Sequence, residues 1–178
     1  MQGEGEAVAL RDGTVVVVRP IRPDDAPRLQ ALFARLSPES MWFRFLGHPK
    51  ELLCEEAEQL ANVDHQTRMA LVATVDCRGE QQIVAVARYA QIPTAEPRLA
   101  KAAIVVEDRY QNRGLGTLLL RRLVAYARGH GIRAFLAVVR QENAWVMRFI
   151  RHSRLPAESE VELGVCEITI KLDAAADG

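Results

Sequence analysis

A run of polar residues and glycines, Gln111-Asn112-Arg113-Gly114-Leu115-Gly116-Thr117, lies between an apolar β-type segment and a helical pattern. Such a junction exposes several unpaired backbone N–H groups at the positive end of a helix dipole, where a phosphate binds favourably. Gly114 and Gly116 have no Cβ, so the backbone can approach a pyrophosphate closely. The chemistry predicted by this spacing is binding of a phosphorylated ligand through backbone amides.

Two glycine-rich phosphate motifs fit this segment poorly. A P-loop requires Gly-Lys-Ser/Thr, which does not follow the glycines here. The dinucleotide fingerprint needs a third glycine where Leu119 stands, and it follows the first strand of its domain rather than a series of strands. Binding of some other nucleotide stays open as a weaker alternative.

The amino-terminal part of the chain is predicted to form one strand and two helices. The β-branched residues 14–19 predict the strand; the first helix begins near Pro23 and ends at Ser37-Pro38, and the second opens at Pro49 and ends near Asn62. Apolar residues at helical spacing define the buried faces: Leu29, Leu32, Phe33 and Leu36 in the first helix, and Leu53, Ala57, Leu60 and Ala61 in the second. Aromatic residues between the helices either cover a binding site or belong to the core, and the core is favoured: Trp42, Phe43 and Phe45.

Three short apolar runs, 69–76, 82–89 and 99–106, predict an antiparallel meander. A stripe of period 3.6 then predicts a helix that stops at Gly129 and Gly131, and residues 132–139 predict a strand parallel to the one before the helix. Asn143 can cap a further helix, and residues 161–172 predict a last strand with a bulge beside Gly164. The predicted order is β-α-α-β-β-β-α-β-α-β.

The pattern Gln111-x-x-Gly114-x-Gly116 after a strand, in this order of elements, resembles the acetyl-coenzyme A (acetyl-CoA) pyrophosphate loop of the GNAT superfamily of N-acetyltransferases. The resemblance covers residues 11–172 and implies an α/β fold with a mixed, mostly antiparallel sheet flanked by helices. Residues 19–25, 36–40 and 43–45 are similar to the bacterial protein lysine acetyltransferases, in which such a domain is often fused to other modules. One domain, 1–172, and a short tail, 173–178, are expected.

The resemblance also implies a function for particular residues. Acetyl-CoA would be the co-substrate, bound by the segment from Gln111 to Thr117, and the acceptor would be an amine of a protein or a small molecule. The backbone of Val105 and Val106 would bond the pantetheine arm, and the Val106 amide would stabilise the oxyanion. Asn143 corresponds to a side chain near the pantetheine end, although it can equally be a simple helix cap. Arg113 is either a solvated surface charge or a neighbour of the phosphates, which charge attraction favours.

Three positions depart from the acid-base pattern of the family. Lys101 stands where a glutamate base is usual, Ile150 where a tyrosine acid is common, and Arg154 where glycine is expected. Lys101 either faces the acceptor site, where it would disfavour cationic amines, or points to solvent. The substitute bases, acting through water, would be Glu107, Asp108 and Glu162. A CoA-binding regulatory module with weak or no turnover therefore stands beside the enzyme hypothesis.

Composition limits the other classes of function. The chain has 178 residues, of which 49% are hydrophobic, and 23 Lys and Arg residues balance 23 Asp and Glu residues. This balance removes the broad attraction on which binding to nucleic acid or an anionic membrane depends. Three scattered cysteines predict neither disulfides nor a zinc site, so no metal is expected. Without a long apolar run or a basic leader, a cytoplasmic protein is predicted, and a homodimer that shares the final strand stays open.

Overall fold

The computed structural model describes residues 5–46, 51–93, 98–153 and 155–172. Eight strands and five α-helices lie within these ranges. Their order is β1 (Glu6–Ala9), β2 (Val15–Pro20), α1 (Ala26–Ala34), α2 (Pro38–Arg44), α3 (Cys54–Ala61), β3 (Arg68–Cys77), β4 (Glu80–Gln91), β5 (Leu99–Val106), α4 (Leu115–Gly129), β6 (Ala134–Arg140), α5 (Ala144–Ser153), β7 (Ala157–Glu162) and β8 (Val165–Lys171). In this part of the chain, no helix has both the length and the apolar character needed to cross a membrane.

All eight strands form one sheet in the order β1-β2-β3-β4-β5-β6-β8-β7. Neighbouring strands are antiparallel throughout, except for the parallel pair β5 and β6, which α4 connects. The predicted meander of β3, β4 and β5 is confirmed, and so is the parallel crossover. The fold is therefore the expected α/β arrangement around a mostly antiparallel sheet.

Strands β5 and β6 separate soon after they meet. Their described pairing consists of Leu99 with Ala134, Ala100 with Phe135 and Lys101 with Leu136. Strand β5 then continues to Val106 beside β4 alone, and β6 continues beside β8. A V-shaped opening results at the carboxyl ends of both strands, and we call it the splay. Backbone polar groups that face the splay have no strand partner there, so they can bond to water or a ligand.

The sheet packs an apolar layer on each face. On one face, α4 inserts Leu115, Leu119 and Leu123, all fully buried, against β3, β4 and β5. On the other face, α1 and α3 cover a second core that contains Leu29 and Val105. The predicted buried stripes of α1 and α4 follow from their helical spacing and agree with this packing.

A buried ion pair connects β2 with the beginning of α1. Nη1 and Nη2 of Arg19 donate to the two carboxylate oxygens of Asp25 at 2.6 and 2.8 Å, and the Arg22 amide donates to the same carboxylate at 2.9 Å. Both side chains are excluded from solvent, with exposed fractions of 5% for Arg19 and 0% for Asp25. Because both charges are desolvated, removal of either one would leave the other buried without a partner, which destabilises the fold.

The end of the chain differs from the prediction of one bulged strand. Residues 157–171 form a hairpin of two strands, β7 and β8. Leu163 and Gly164, at φ of 50° and 78°, make its turn, so Gly164 belongs to a hairpin turn and not to a bulge. The change of apolar parity in the sequence marks the reversal of the chain. All six residues of β7 are exposed.

The region between the first two predicted helices also differs. It forms a third helix, α2, which Ser37 caps by accepting the Ser40 amide at 3.1 Å. Phe45 packs on Phe33 with ring centroids 5.7 Å apart, as the core interpretation requires. For Trp42 that interpretation is wrong, because 43% of its surface is exposed and its ring lies under the Arg140 guanidinium at 4.7 Å.

Two smaller differences concern β1 and the start of α3. Strand β1 precedes the first predicted strand and pairs with it. Helix α3 begins at Cys54, so Leu53 is its N-cap residue and is 58% exposed instead of lying on the buried face. Pro49, at the predicted start of this helix, lies outside the described residues, as do Arg154 and the tail 173–178.

Candidate functional site

The glycine-containing segment follows β5 at the open end of the splay. After Val106 the chain makes a short 3₁₀ turn, Asp108–Tyr110, and helix α4 starts at Leu115. Asn112 and Gly114 take left-handed conformations with φ of 59° and 88°, and these two positions reverse the chain. At Gly114 the lack of a Cβ is required by the backbone itself.

Six consecutive amides of this segment point away from any backbone acceptor. Within the described residues, the N–H groups of residues 112–117 make no backbone hydrogen bond, and the first helical bond runs from the Leu118 amide to the Gly114 carbonyl at 3.0 Å. We call residues 112–117 the amide loop. The amides of Leu115, Gly116 and Thr117 belong to the first turn of a 15-residue helix, so the helix dipole adds to their attraction for an anion.

Gln111 fixes the amide loop and does not present an amide to a ligand. Its own N–H donates to the Asp108 carbonyl at 3.2 Å. Its side-chain Nε2 donates to the Val106 carbonyl at 3.0 Å and to Ser40 Oγ at 3.1 Å. The expected contribution of Gln111 to cofactor binding is thus indirect, since it connects the loop to β5 and α2.

Arg113 is held by the turn between β1 and β2. Its Nη1 donates to Asp12 Oδ2 at 2.5 Å and to Thr14 Oγ1 at 3.2 Å, and its guanidinium lies 5.3 Å from the centre of the Tyr110 ring. The carboxylate neutralises the charge that was expected to attract phosphate. A position of Arg113 beside the phosphates therefore stays a prediction.

Arg11 supplies a cation at the amide loop that sequence reasoning missed. Its amide donates to the Arg113 carbonyl at 3.3 Å, and its Nε lies 3.4 Å from the position that a Cβ of Gly114 would occupy. Arg11 is exposed, and it forms no ion pair within the described residues. About one hundred positions separate Arg11 from the loop, so no local pattern could have indicated this contact.

Gly116 lies against the indole ring of Trp145 from α5. A Cβ at position 116 would be 2.6 Å from Cζ2 of that ring. The absence of a side chain here therefore allows close packing of α5 on the start of α4. Leu115 is fully buried and offers a ligand its backbone alone, whereas Thr117 is half-buried and Asn112 is exposed.

The direction of the β5 backbone separates Val105 from Val106. The amide of Glu107 donates to the Val84 carbonyl on β4 at 2.8 Å. Since backbone groups alternate along a strand, the N–H and C=O of Val105 also face β4, and those of Val106 and Ile104 face the splay. We therefore expect Ile104, and not Val105, to bond a ligand through its backbone. The Val106 amide also faces the splay and is available to an oxyanion.

Asn143 caps α5. Its Oδ1 accepts the Val146 amide at 3.2 Å, and its own amide donates to the Arg140 carbonyl at 2.9 Å. The helix-cap interpretation thus accounts for this residue, and a further role beside a ligand stays a prediction. Ile150, on the same helix, packs on the core that α4 forms.

Lys101 lies on the face of the sheet opposite to α4. It is exposed, and side chains alternate along β5, so Lys101 shares this face with Ala103, Val105 and Glu107. This is the face that α1, α2 and α3 approach. A ligand entering from the amide loop would reach the splay from the α4 side, which leaves the Lys101 side for a second substrate.

The carboxylates considered as substitute bases are engaged or remote. Glu107 is 2% exposed, with Oε2 3.1 Å from Nε of Arg35 and Oε1 2.5 Å from Nη2 of Arg109. Glu162 is exposed on β7, three strands away from β5. Within the described ranges, His, Cys, Asp and Glu side chains do not gather in groups of three that could hold a metal ion.

Asp108 attaches helix α2 to the turn before the amide loop. Its carboxylate accepts the Ser37 amide at 2.9 Å, the Ser37 hydroxyl at 2.5 Å and the Ser40 hydroxyl at 2.8 Å. Burial raises the pKa of Asp108, but these hydrogen bonds outweigh burial and hold the pKa below its usual value. A carboxylate stabilised in this way is a weak proton acceptor.

Comparison with known proteins agrees with this geometry. The sequence matches the profile of the "Acetyltransferase (GNAT) family" over residues 31–153. It is 37% identical over 138 residues to the acetyltransferase PA5475 of Pseudomonas aeruginosa, covering 78% of this chain and 73% of that protein. It is 30% identical over 138 residues to the acetyltransferase Pat of Mycolicibacterium smegmatis, covering 76% of this chain but 40% of that longer relative.

A solved structure shows the same architecture. The GNAT domain of S. lividans PAT superposes with a TM-score of 0.82 at 32% identity, covering 94% of this chain and 96% of that domain. An Arabidopsis thaliana protein, NAA60, solved with a bisubstrate analogue, superposes with a TM-score of 0.64 at 14% identity, which indicates a shared fold alone. The family profile, the Pseudomonas relative and the fold lead to one conclusion: the chain belongs to the GNAT family of acetyltransferases.

Proposed function

We propose that this acetyltransferase binds acetyl-CoA through the amide loop and transfers its acetyl group directly to an amine. The observation that carries the proposal is the array of unpaired amides at residues 112–117, directly beside the splay. The loop suits a pyrophosphate, and the splay suits an extended polar arm that hydrogen-bonds to Ile104 and Val106. Acetyl-CoA has both parts, and it is the co-substrate that the family implies.

The proposed reaction needs few groups from the protein. The amine nitrogen attacks the thioester carbonyl carbon, and the C–O double bond opens to an oxyanion that the Val106 amide stabilises. When the carbonyl forms again, the C–S bond breaks and the thiolate leaves. The amine proton goes to solvent and the thiolate takes a proton from solvent. No covalent intermediate with the enzyme is needed.

The charge at position 101 bears on the choice of acceptor. No carboxylate replaces the usual base there, so the amine has to arrive with its lone pair free. At pH 7, deprotonation costs on the order of 4 to 5 kcal/mol for an amine of pKa near 10.4, and about 1 kcal/mol for one near 8. Weakly basic amines are therefore the favoured acceptors. The same residue motivates the second candidate, a CoA-binding regulatory module with weak or no turnover.

Calorimetric titration with acetyl-CoA tests the binding part of this proposal. The variant Gly114→Ala should bind more weakly, because alanine resists the φ of 88° on which the loop geometry depends. Gly79→Ala is the matched control, since Gly79 has a φ of 86° in the β3–β4 turn and lies outside the loop. Equal affinity in both variants, or no binding by the unaltered protein, would overturn the proposed cofactor site.

Thiol release measured with a panel of amines separates the enzyme from the regulatory module. We expect acetyl-CoA-dependent release that rises with the fraction of neutral amine. A protein that binds acetyl-CoA tightly and releases no thiol with any amine above the background rate would support the module instead.

A further inference from the structure

A small cavity on the Lys101 face of the sheet is lined by two arginine residues. Helices α1 and α3 supply apolar walls through Phe33 and Leu60, and β4 and β5 contribute Val86 and Val105. The two arginines that line it are Arg44, at the end of α2, and Arg88, on β4. The cavity volume is about 10 Å³, so it holds roughly one water-sized group and not a whole substrate.

The two charges are not neutralised by the protein. Nη2 of Arg88 donates to the Leu60 carbonyl at 2.7 Å, and the Arg44 guanidinium lies 5.1 Å from the centre of the Phe45 ring. Across the described part of the chain, neither arginine forms an ion pair with a carboxylate. Charged groups with little solvent usually have an opposite charge beside them, and these two do not.

Their electrostatic environment favours an added negative charge. Burial lowers the pKa of Arg88 to about 10, and repulsion from Arg44 and Arg68 acts in the same direction. Burial also lowers the pKa of Arg44. An anion between the two guanidinium groups would reduce this repulsion and restore the hydrogen bonds that burial removes.

Further cations extend this positive region along the sheet. Ala90 pairs with Lys101 on one side and with Arg68 on the other, and it lies two residues after Arg88. Since side chains at alternate positions share a face, the three basic side chains lie on the same side of the sheet as the cavity. Within the described residues, neither Lys101 nor Arg68 forms an ion pair.

The cavity lies within reach of the proposed reaction centre. Ala103, Ile104 and Val105 form part of its wall, and Arg88 pairs with Ala103 in the β4–β5 register. Val106, whose amide faces the splay, comes three residues after Ala103, which corresponds to roughly 10 Å along a strand. One small molecule could therefore place an amine at the splay and another group at the cavity.

We propose that the acceptor is a small amine that also carries a carboxylate or phosphate group, and that this group binds between Arg44 and Arg88. The inference rests on the proposed acetyl transfer and specifies the substrate class for the same site. The oxygen atoms of the anion accept hydrogen bonds from the guanidinium groups of these two residues. The remainder of the molecule extends along β5 toward Val106.

Matched acceptors test this substrate class. Thiol release would be measured with ω-aminocarboxylates of increasing length, with their uncharged carboxamides and with ω-aminoalkyl phosphates. We expect kcat/KM for the best anion to exceed that of its uncharged partner about tenfold, as one charge-assisted contact provides. The phosphate and carboxylate series compare the two sources of anion directly. Equal kcat/KM for charged and uncharged partners at every length would overturn the inference.

Variants connect the preference to the cavity. Arg44→Met and Arg88→Met keep much of the apolar volume and should reduce the preference to less than about threefold, whereas Arg88→Lys, which keeps the charge, should retain part of it. The control is Arg121→Met, an exposed residue of α4, which should keep the full preference. Retention of the preference in both cavity variants would contradict the assignment.

A binding measurement distinguishes failure of this inference from failure of the proposed transfer. Inorganic phosphate would be titrated into the protein saturated with CoA, so that the amide loop is occupied, and the melting temperature recorded. We expect phosphate to raise the Tm of the unaltered protein and of Arg121→Met, but not of Arg44→Met. No turnover is needed, so the anion site can be supported even if no amine is acetylated. A Tm rise in Arg44→Met equal to that of the unaltered protein would reject the site.

Discussion

The indole ring of Trp145 and the backbone of Gly116 are in direct contact, so that a Cβ at position 116 would lie 2.6 Å from Cζ2 and 3.1 Å from Cη2 of the ring. The contact joins helix α5 to the first turn of α4, beside the amide loop. It also places one of the two tryptophans of the chain where acetyl-CoA is proposed to bind. Both the stability of this corner and its fluorescence can therefore be measured.

We expect Gly116→Ala to lower the free energy of unfolding by about 1 to 3 kcal/mol, because the added methyl group overlaps the indole ring. Urea unfolding measures this change. Gly129→Ala, at the other end of α4 and with open space for a Cβ, is the control and should leave stability equal or slightly higher. In a Trp145→Ala background, Gly116→Ala should lower the free energy of unfolding much less than it does in the unaltered protein, because the indole ring that the methyl group overlaps is absent. Additive effects in the double variant would contradict a steric origin.

We expect Arg11→Met to weaken acetyl-CoA binding about fivefold to tenfold, and Arg113→Met to weaken it less than about twofold, because Asp12 already neutralises Arg113. Trp145 fluorescence reports the binding in a Trp42→Phe background. Raising the salt concentration should weaken acetyl-CoA binding by the unaltered protein more than binding by Arg11→Met, since one phosphate contact is missing in the variant. If Arg113→Met weakened acetyl-CoA binding more than Arg11→Met, Arg113 and not Arg11 would be the cation that contacts the phosphates.

We expect Lys101→Glu to raise kcat/KM for strongly basic amines at pH 7 by about 10-fold to 100-fold, because a carboxylate on this face can accept the amine proton. Lys101→Met removes the charge without adding a base, so its gain should be a few-fold at most. The measurement is the pH dependence of thiol release, which should be flatter in Lys101→Glu below the acceptor pKa. Identical profiles for the two variants would exclude a base function, and no change in either would remove Lys101 from the acceptor site.

We expect Asp25→Asn to lower the free energy of unfolding by about 3 to 5 kcal/mol, because it leaves the Arg19 charge buried without a partner. Asp24→Asn is the matched control. Asp24 is 74% exposed and lies 3.9 Å from Arg28, so its replacement should change stability by less than about 0.5 kcal/mol. Urea unfolding at pH 7 measures both variants. A small effect at Asp25 would show that the ion pair contributes little.

The same ion pair predicts a loss of stability in acid. Burial raises the pKa of Asp25, but the hydrogen bonds from Arg19 and the Arg22 amide outweigh burial, so the folded pKa lies below the usual 3.8. A group whose pKa is lowered by folding stabilises the protein above its unfolded pKa, and this contribution disappears as the pH falls through the folded pKa. Unfolding free energies measured from pH 7 downward should therefore fall below about pH 4 more steeply in the unaltered protein than in Asp25→Asn. Parallel curves would contradict the lowered pKa.

Features that depend on neighbouring residues could be predicted from the sequence. The glycine spacing indicated the amide loop, and the apolar stripe of α4 indicated the helix that follows it. Asn143 was recognised as a cap because a cap and its amide are three residues apart. The parallel pair β5 and β6 followed from the helix between them. In each case the signal lies within about one element of the feature.

Features that depend on distant residues could not be predicted in this way. Arg113 bonds to Asp12, and Arg11 reaches Gly114, across about one hundred positions. Arg44 and Arg88 line the same cavity although 44 positions separate them, so no local pattern indicates that they are neighbours. Backbone direction decided between Val105 and Val106, and it depends on the register with β4.

Two local sequence patterns were present but compatible with two different structures. Ser37 followed by Pro38 indicates the end of the first helix, but a serine cap with proline at the first helical position also starts a helix, as it does for α2. Gly164 accompanies a change of apolar parity, which a bulge and a hairpin turn produce alike. The length of the intervening segment does not separate the two interpretations, since both strands of the hairpin are short.

Strand β7 bears on how copies of this protein meet in solution. Its outer edge presents unpaired backbone groups, and an edge of this kind can join the sheet of another molecule. Glu158, Glu160 and Glu162 alternate along it, and among the described residues only Glu158 of these three forms an ion pair, with Lys171 of β8. Two such edges brought together would place carboxylates opposite carboxylates at close range. The acidic edge thereby acts as a gatekeeper against open-ended sheet growth, next to the exposed apolar side chains of Val161 and Leu163.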